Sequence, residues 1–281
     1  MGKFLVINAD DFGLCDGVNR GIAKAHTEGV LTSATIMANM PAAEEAVKIA
    51  KQLPSLGVGV HLNLSAGRPL SGDSGAELVG DSGEFIHSPA KLWFLSVVSG
   101  GIRDAIRAEL KAQIQWVMDN GIRPTHLDSH KHIHNFPVIF HMVCDMARQF
   151  NIAAIRNSFE PKAVLKMPWP LLGEGGRQRT RLLRHCARIN RLQNRRFFKT
   201  GALFGIAHTG RIDVSFFKSV AMYNAVQTAE VMTHPGFTDG LDPNKTRLIQ
   251  QRKVELDALC SNKTRQILND NGIKLGSYGQ I

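Results

Sequence analysis

The chain has 281 residues, 43% of them hydrophobic, and a formal net charge of +10. That length suits one large α/β domain or two smaller ones, and the hydrophobic share is that of a chain with a buried core. No apolar run approaches the roughly 18 residues of a membrane-spanning helix. Eight Arg and one Lys lie between Arg177 and Lys199, with no acidic residue among them. Removing those nine from the 34 basic residues leaves 25 against 24 acidic ones, so the excess charge belongs to one element. A nucleic-acid binder spreads its basic residues more widely, so nucleic acid is not the expected partner. Cys15, Cys144, Cys186 and Cys260 show no paired spacing and fit reduced thiols in the cytoplasm. Met1-Gly-Lys runs straight into a strand without a signal-peptide pattern, and Val6 stands where a myristoylation motif needs Ser or Thr.

Strand-like and helix-like segments alternate along the chain. Phe4–Ala9 is an apolar strand, closed by Asp10-Asp11 and a turn at Gly13. Gly17–Glu28 follows as a helix with Val18, Ile22 and Ala25 on one face. Leu31–Met37 is the second strand, Ala42–Gln52 a helix and Gly57–Leu64 the third strand. Ser65–Pro89 is rich in Gly, Ser, Asp and Pro and reads as a long loop. Ile102–Asn120 is a strong helix, with Ile102, Ile106, Leu110, Ile114 and Val117 at helical spacing. Thr125–Ser129 and Ile152–Arg156 are strands flanking a helix over His141–Phe150. Residues 160–201 break the rhythm as a basic insertion or lid. Leu203–Ala207, Val231–His234 and Ile273–Leu275 complete eight strands, with a helix over Lys245–Asn269. Such alternation predicts parallel βα units, and eight strands favour a single distorted or incomplete (β/α) TIM-like barrel over residues 1–281. An open doubly wound sheet is the alternative.

The chemistry-bearing residues fall at strand ends, where barrel enzymes build their sites. Asp10 and Asp11 end the first strand. Alone they read equally well as a turn with a helix N-cap. His61 lies late in the third strand, His126-Leu-Asp-Ser-His130-Lys-His132-Ile-His134 ends the fourth, and His234 ends the seventh. Adjacent carboxylates repel unless a cation sits between them, and a divalent metal is the usual one. His126, Asp128 and His130 share a face, but His126 and His130 lie about 13 Å apart on an extended strand. His130 is therefore the better ligand, and Asp128 can orient a ligand histidine. One Asp and two His make an open site suited to Zn²⁺, with Mg²⁺ disfavoured by the imidazoles. The other carboxylate is then free to act as a base. His234, before Pro-Gly, is a turn residue whose placement makes it a candidate general acid.

Asn8-Ala-Asp-Asp-Phe-Gly13, Gly59-Val-His-Leu-Asn-Leu64, His126 to His134, Thr233-His-Pro-Gly236 and Leu275-Gly-Ser-Tyr278, in that order, resemble the YdjC/ChbG-like carbohydrate deacetylase family. The resemblance implies a distorted barrel and metal-dependent removal of an acetyl group from an N-acetylated amino sugar. It places the metal on Asp11, His61 and His130, the base at Asp10 and the acid at His234. His126, Asp128, His132 and Arg156 are further candidates, expected behind the ligands or against the substrate. The family metal is often taken as Mg²⁺, so Zn²⁺ and Mg²⁺ both stay open. The basic segment resembles the hopanoid-associated, HpnK-type branch, which implies a glycolipid substrate. Wound as a helix, Leu182, Leu183, Cys186, Ile189 and Leu192 lie on one side and Arg184, Arg188, Arg191 and Arg195 on the other. That pattern suits peripheral contact with the inner face of an anionic membrane, or equally a solvated helix packed on the barrel. An oligomer is compatible with all of this. Two rivals stand beside the deacetylase: a metal-dependent phosphoesterase, which would show more carboxylates and a phosphate cradle, and a lipid- or RNA-binding protein that uses the Arg-rich helix.

Overall fold

Buried aliphatic strands from along the chain assemble into one parallel sheet in the computed structural model, which describes residues 3–163 and 176–281. The strands are β1 (Phe4–Phe12), β2 (Ser33–Ile36), β3 (Gly57–Leu62), β4 (Leu127–Ser129), β5 (Ala202–Phe204), β6 (Thr228–Thr233) and β7 (Lys274–Leu275). Their order is β4-β3-β2-β1-β6-β5. β7 pairs with Phe4 and Leu5, ahead of the β2 pairing that begins at Asn8. The sheet curls into an incomplete α/β barrel.

Ile152–Arg156, expected as a full strand, is reduced to a single bridge from Ile155 to Leu127. The chain there serves two neighbours with few bonds. Arg156 N donates to Leu127 O on one side, and Leu203 N donates to Phe159 O on the other. This irregular segment spans the interval between β4 and β5. Its polar side chains, Arg156, Asn157, Ser158 and Glu160, are all buried, and their hydrogen bonds replace a regular ladder.

The helices are α1 (Asp16–Thr27), α2 (Ala43–Gln52), α3 (Pro89–Val98), α4 (Gly100–Asp119), α5 (Pro137–Gln149), α6 (Gly176–Asn194), α7 (Val214–Met222), α8 (Gln250–Cys260) and α9 (Asn262–Asp270). Val18, Ile22 and Ala25 of α1 and the five periodic residues of α4 are buried, as their spacing requires. Ser88, Ser99 and Asp213 cap α3, α4 and α7 through the N–H groups of Lys91, Ile102 and Phe216. The single helix read over Lys245–Asn269 is two helices that begin at Gln250 and meet at Ser261.

α6 forms where the basic helix was expected, but it faces differently. Thr180, Leu183, Arg184, Ala187 and Asn190 are buried, whereas Leu182 is 43% and Leu192 89% exposed. Polar anchors decide the rotation. Thr180 donates to Glu160, Asn190 donates to the Asn135 carbonyl, and Asn135 donates to the Leu183 carbonyl. Arg184 is thus a buried residue and not part of a basic outer face; Arg188, Arg191 and Arg195 remain exposed. Residues 164–175 of the expected insertion lie outside the described residues. No helix of the described residues is long and apolar enough to cross a membrane.

α1 approaches the segment after β6 without room for a side chain. A Cβ at Gly21 would lie 2.4 Å from the Gly236 Cα. Gly21→Ala is therefore expected to destabilise the protein by about 1–3 kcal/mol, as overpacking does. A urea unfolding midpoint equal to that of the wild type would show that the segment yields instead.

Candidate metal centre and active site

The site begins at a break in β1. The register with β2 shifts between Ala9 and Phe12, and Asp11 adopts φ +67°. A bulge re-aims side chains, and Asp tolerates the left-handed region better than most residues. Asp10 and Asp11 consequently reach different partners, although both are buried.

Asp11 faces two histidines. Its Oδ1 lies 3.5 Å from His61 Nε2 and 3.2 Å from His130 Nδ1. His61 belongs to β3 and is in register with Asp128 of β4, so the two side chains share a face. Asp128 Oδ1 sits 2.8 Å from His61 Nδ1, which fixes the ring with Nε2 toward Asp11. Thr35 of β2 donates to the other Asp128 oxygen at 3.1 Å. His130 directly follows β4. The next two residues, Lys131 and His132, have φ of +54° and +55°, and they turn the chain sharply away.

Asp10 faces Arg156. The guanidinium reaches it through Nη1 to Oδ2 at 2.7 Å and Nη2 to Oδ1 at 2.6 Å. The same fully buried guanidinium lies 2.8 Å from Asp128 and 2.7 Å from Glu230. Burial alone would raise the Asp10 pKa, but Arg156 and His61 outweigh it and hold the carboxyl well below its ordinary range. Glu230 on β6 also accepts from the hydroxyl of Tyr278, whose ring stacks on His126 at 4.0 Å. His126 is thereby held against Tyr278, fully buried, and burial pushes its pKa down to about 3. His132 is buried beside His134, with ring centroids 6.3 Å apart, and is not a member of the Asp11 group.

His234 follows β6 and is nearly buried. Burial lowers its pKa to about 4, against the raising effect of Asp10 and Asp11. The structure thus brings Asp10, Asp11, His61, His130, Asp128 and Arg156 into one cluster, with His234 beside it and His126 and His132 behind.

Two residues of α8 enter this site without having been read from the sequence. Arg252 Nη2 donates to Asp11 Oδ2 at 2.5 Å, and Glu255 accepts the backbone N–H of His234 at 2.5 Å and that of Gly210 at 2.6 Å. Both side chains are buried. Their detectable signal is a charged pair three residues apart, on one face of a helix that must pack on the sheet.

Two groupings within the described residues can hold a metal ion: Asp11 with His61 and His130, and Asp10 with His61 and Asp128. The second already contains a cation, because Arg156 bridges Asp10 and Asp128. The first fits a divalent ion. Its three donor atoms converge, and His61 is oriented by a carboxylate. The surrounding charge is also unbalanced. Four carboxylates, Asp10, Asp11, Asp128 and Glu230, face two guanidinium groups among the described residues, those of Arg156 and Arg252. The excess shows at His61: burial disfavours its charge, yet Asp128, Asp10 and Asp11 push its pKa up to about 9.

The model of YdjC-like proteins matches residues 4–270. The chain belongs to the YdjC-like family. It is 34% identical to a carbohydrate deacetylase of Geobacillus stearothermophilus, over 100% of this chain and 99% of that one. It is 32% identical to a carbohydrate deacetylase of Brevibacillus brevis, over 99% of each chain. A chitooligosaccharide deacetylase of Proteus mirabilis is also 32% identical, over the full length of both. A solved structure from Enterococcus faecalis V583 shares the fold, with a TM-score of 0.78 at 24% identity over 100% of this chain and 99% of that one.

Metal titration followed by elemental analysis checks the donor set. His61→Ala and His130→Ala are expected to lose the ion, and Asp128→Asn to bind it roughly 10–100-fold more weakly. Full occupancy in either Ala variant would exclude that residue as a ligand.

Proposed function

We propose that this YdjC-like protein is a metal-dependent deacetylase that hydrolyses the N-acetyl group of an amino sugar. The observation that carries the reading is the Asp11–His61–His130 group set beside an arginine-held Asp10 and His234. Full-length relatives named as carbohydrate deacetylases support it.

Asp11 Oδ1, His61 Nε2 and His130 Nδ1 would hold the ion. Two imidazoles and one carboxylate suit Zn²⁺ or a similar ion better than Mg²⁺, which favours oxygen ligands. When bound, the ion would polarise the acetyl carbonyl and make water a better nucleophile.

The side chains supply the proton traffic. Asp10 is ionised throughout the neutral range, because Arg156 holds it so. Its Oδ1 accepts from both Arg156 and Asn8, whereas Oδ2 accepts from Arg156 alone among the described residues. Oδ2 therefore keeps a lone pair and is the atom that takes the proton from the attacking water. As the C–N bond breaks, His234 gives a proton to the departing amine, and acetate remains as the other product. Asp128, Arg156 and Glu230 keep these groups in place. His126 and His132 are too deep to touch a sugar.

Residues 1–281 act as one catalytic unit in this reading, with α6, anchored on Asn135 through Leu183 and Asn190, forming a wall toward the part of the substrate beyond the acetylated sugar. A lipid-linked sugar suits that wall. On the exposed side of α6, Leu182 and Leu192 stand among Arg188 and Arg191, with Arg195 in the turn just beyond, a mixture that favours a lipid–water interface.

Acetate release from a panel of N-acetylated glycans and glycolipids tests the activity. Asp10→Asn is expected to keep the metal and lose roughly 10²–10⁴-fold in rate. Wild-type rate in that variant would move the base elsewhere. The lipid reading is checked separately by flotation with anionic vesicles. Changing Arg188, Arg191 and Arg195 to Glu should abolish flotation at low salt and spare hydrolysis of a short soluble substrate. Unchanged flotation would dispose of the interface.

A further inference from the structure

Glu255 is a buried carboxylate with no place in the reaction as described so far. It projects from α8, and its two oxygens serve different strand ends. Oε1 accepts from the N–H of Gly210, and Oε2 accepts from the N–H of His234. Oε2 also lies 3.9 Å from His234 Nδ1. That nitrogen is buried and has no hydrogen-bond partner among the described residues. The ring keeps 11% of its surface exposed, and Asp10, Asp11 and His61 act on it from the cluster side.

We infer that Glu255 is the positioning residue of His234, holding its backbone and accepting from Nδ1–H, so that Nε2 is presented to the carboxylate cluster. This deepens the deacetylase reading and rests on it for the identity of the reaction. The physical need is plain. A nearly buried imidazole is a poor cation, and a proton donor must carry its proton until the amine leaves. A carboxylate on the far nitrogen supports the imidazolium and fixes the ring. The groups that face the pair are Asp10 and Asp11 from β1, His61 from β3 and Arg252 from α8. Burial raises the Glu255 pKa to about 7, despite the two backbone N–H groups and Arg252.

The test combines ring NMR with kinetics on the full chain. The ¹⁵N shifts of His234 should report Nδ1 protonated in the wild type throughout, as the imidazolium at low pH and as the Nδ1–H tautomer once Nε2 has lost its proton. Glu255→Gln should produce a mixture of tautomers, and Glu255→Asp should restore much of the wild-type signal. In kinetics, Glu255→Gln should lower kcat roughly 10²-fold with KM little changed. The limb of the pH–rate profile where activity falls with rising pH should move to lower pH by about a unit or more. Added to His234→Ala, the same change should cost nothing further. An unaltered tautomer in Glu255→Gln, or effects that multiply in the double variant, would overturn the inference. Absence of acetate release by the wild type would count against the deacetylase reading alone, because the NMR result stands without it.

Discussion

Arg156 is the constraint on which the rest of the site depends. Its guanidinium is fully buried and touches Asp10, Asp128 and Glu230. A charge in that position is tolerated only when paired and hydrogen-bonded, and three carboxylates in a barrel interior are tolerated only around a cation. Each side therefore requires the other. The three carboxylates come from β1, β4 and β6, so their common partner ties the two halves of the sheet across its interior. Asp128 in turn sets the ring of His61, and Asp10 is kept ionised. One side chain thus reaches both the proposed proton acceptor and a candidate metal ligand.

The family resemblance and the incomplete barrel were legible in the sequence, because strand ends carry compact motifs and buried strands carry long apolar runs. Asp10-Asp11, His61 and His130 could be placed near strand ends from the apolar runs, but the division of Asp10 from Asp11 could not, because it depends on the bulge in β1. Arg156 was readable as a residue near a strand end. Its role as shared cation was not, since its partners Asp10, Asp128 and Glu230 come from three distant parts of the chain. Arg252 and Glu255 were missed for a related reason. They lie in a helix whose weak amphipathic pattern leaves their spacing as the one cue, and the exposed pair Lys253 and Asp257 carries nearly the same spacing. α6 shows the opposite failure. Its leucine pattern was clear, but Thr180 and Asn190 outrank Leu182 and Leu192 because buried hydrogen bonds to Glu160 and Asn135 need partners that water cannot replace.

α8 works as a brace beside the carboxyl ends of the strands. Arg252 reaches the end of β1 and Glu255 reaches the end of β6, and the carbonyl of Arg252 accepts from the N–H of Gly236. A helix outside the sheet thereby fixes the separation of the Asp11 group from His234. Side-chain packing alone specifies such distances loosely, whereas paired hydrogen bonds from one helical turn specify them tightly.

Arg252 has one more effect, which follows from the way it divides Asp11. It occupies Oδ2 and leaves Oδ1 to the histidines. Asp11 can then offer an ion one atom and not a chelating pair. With one atom from each of three side chains, a divalent ion held there would keep positions open to other ligands. By claiming half of that carboxylate for itself, the arginine would limit Asp11 to a single bond to such an ion.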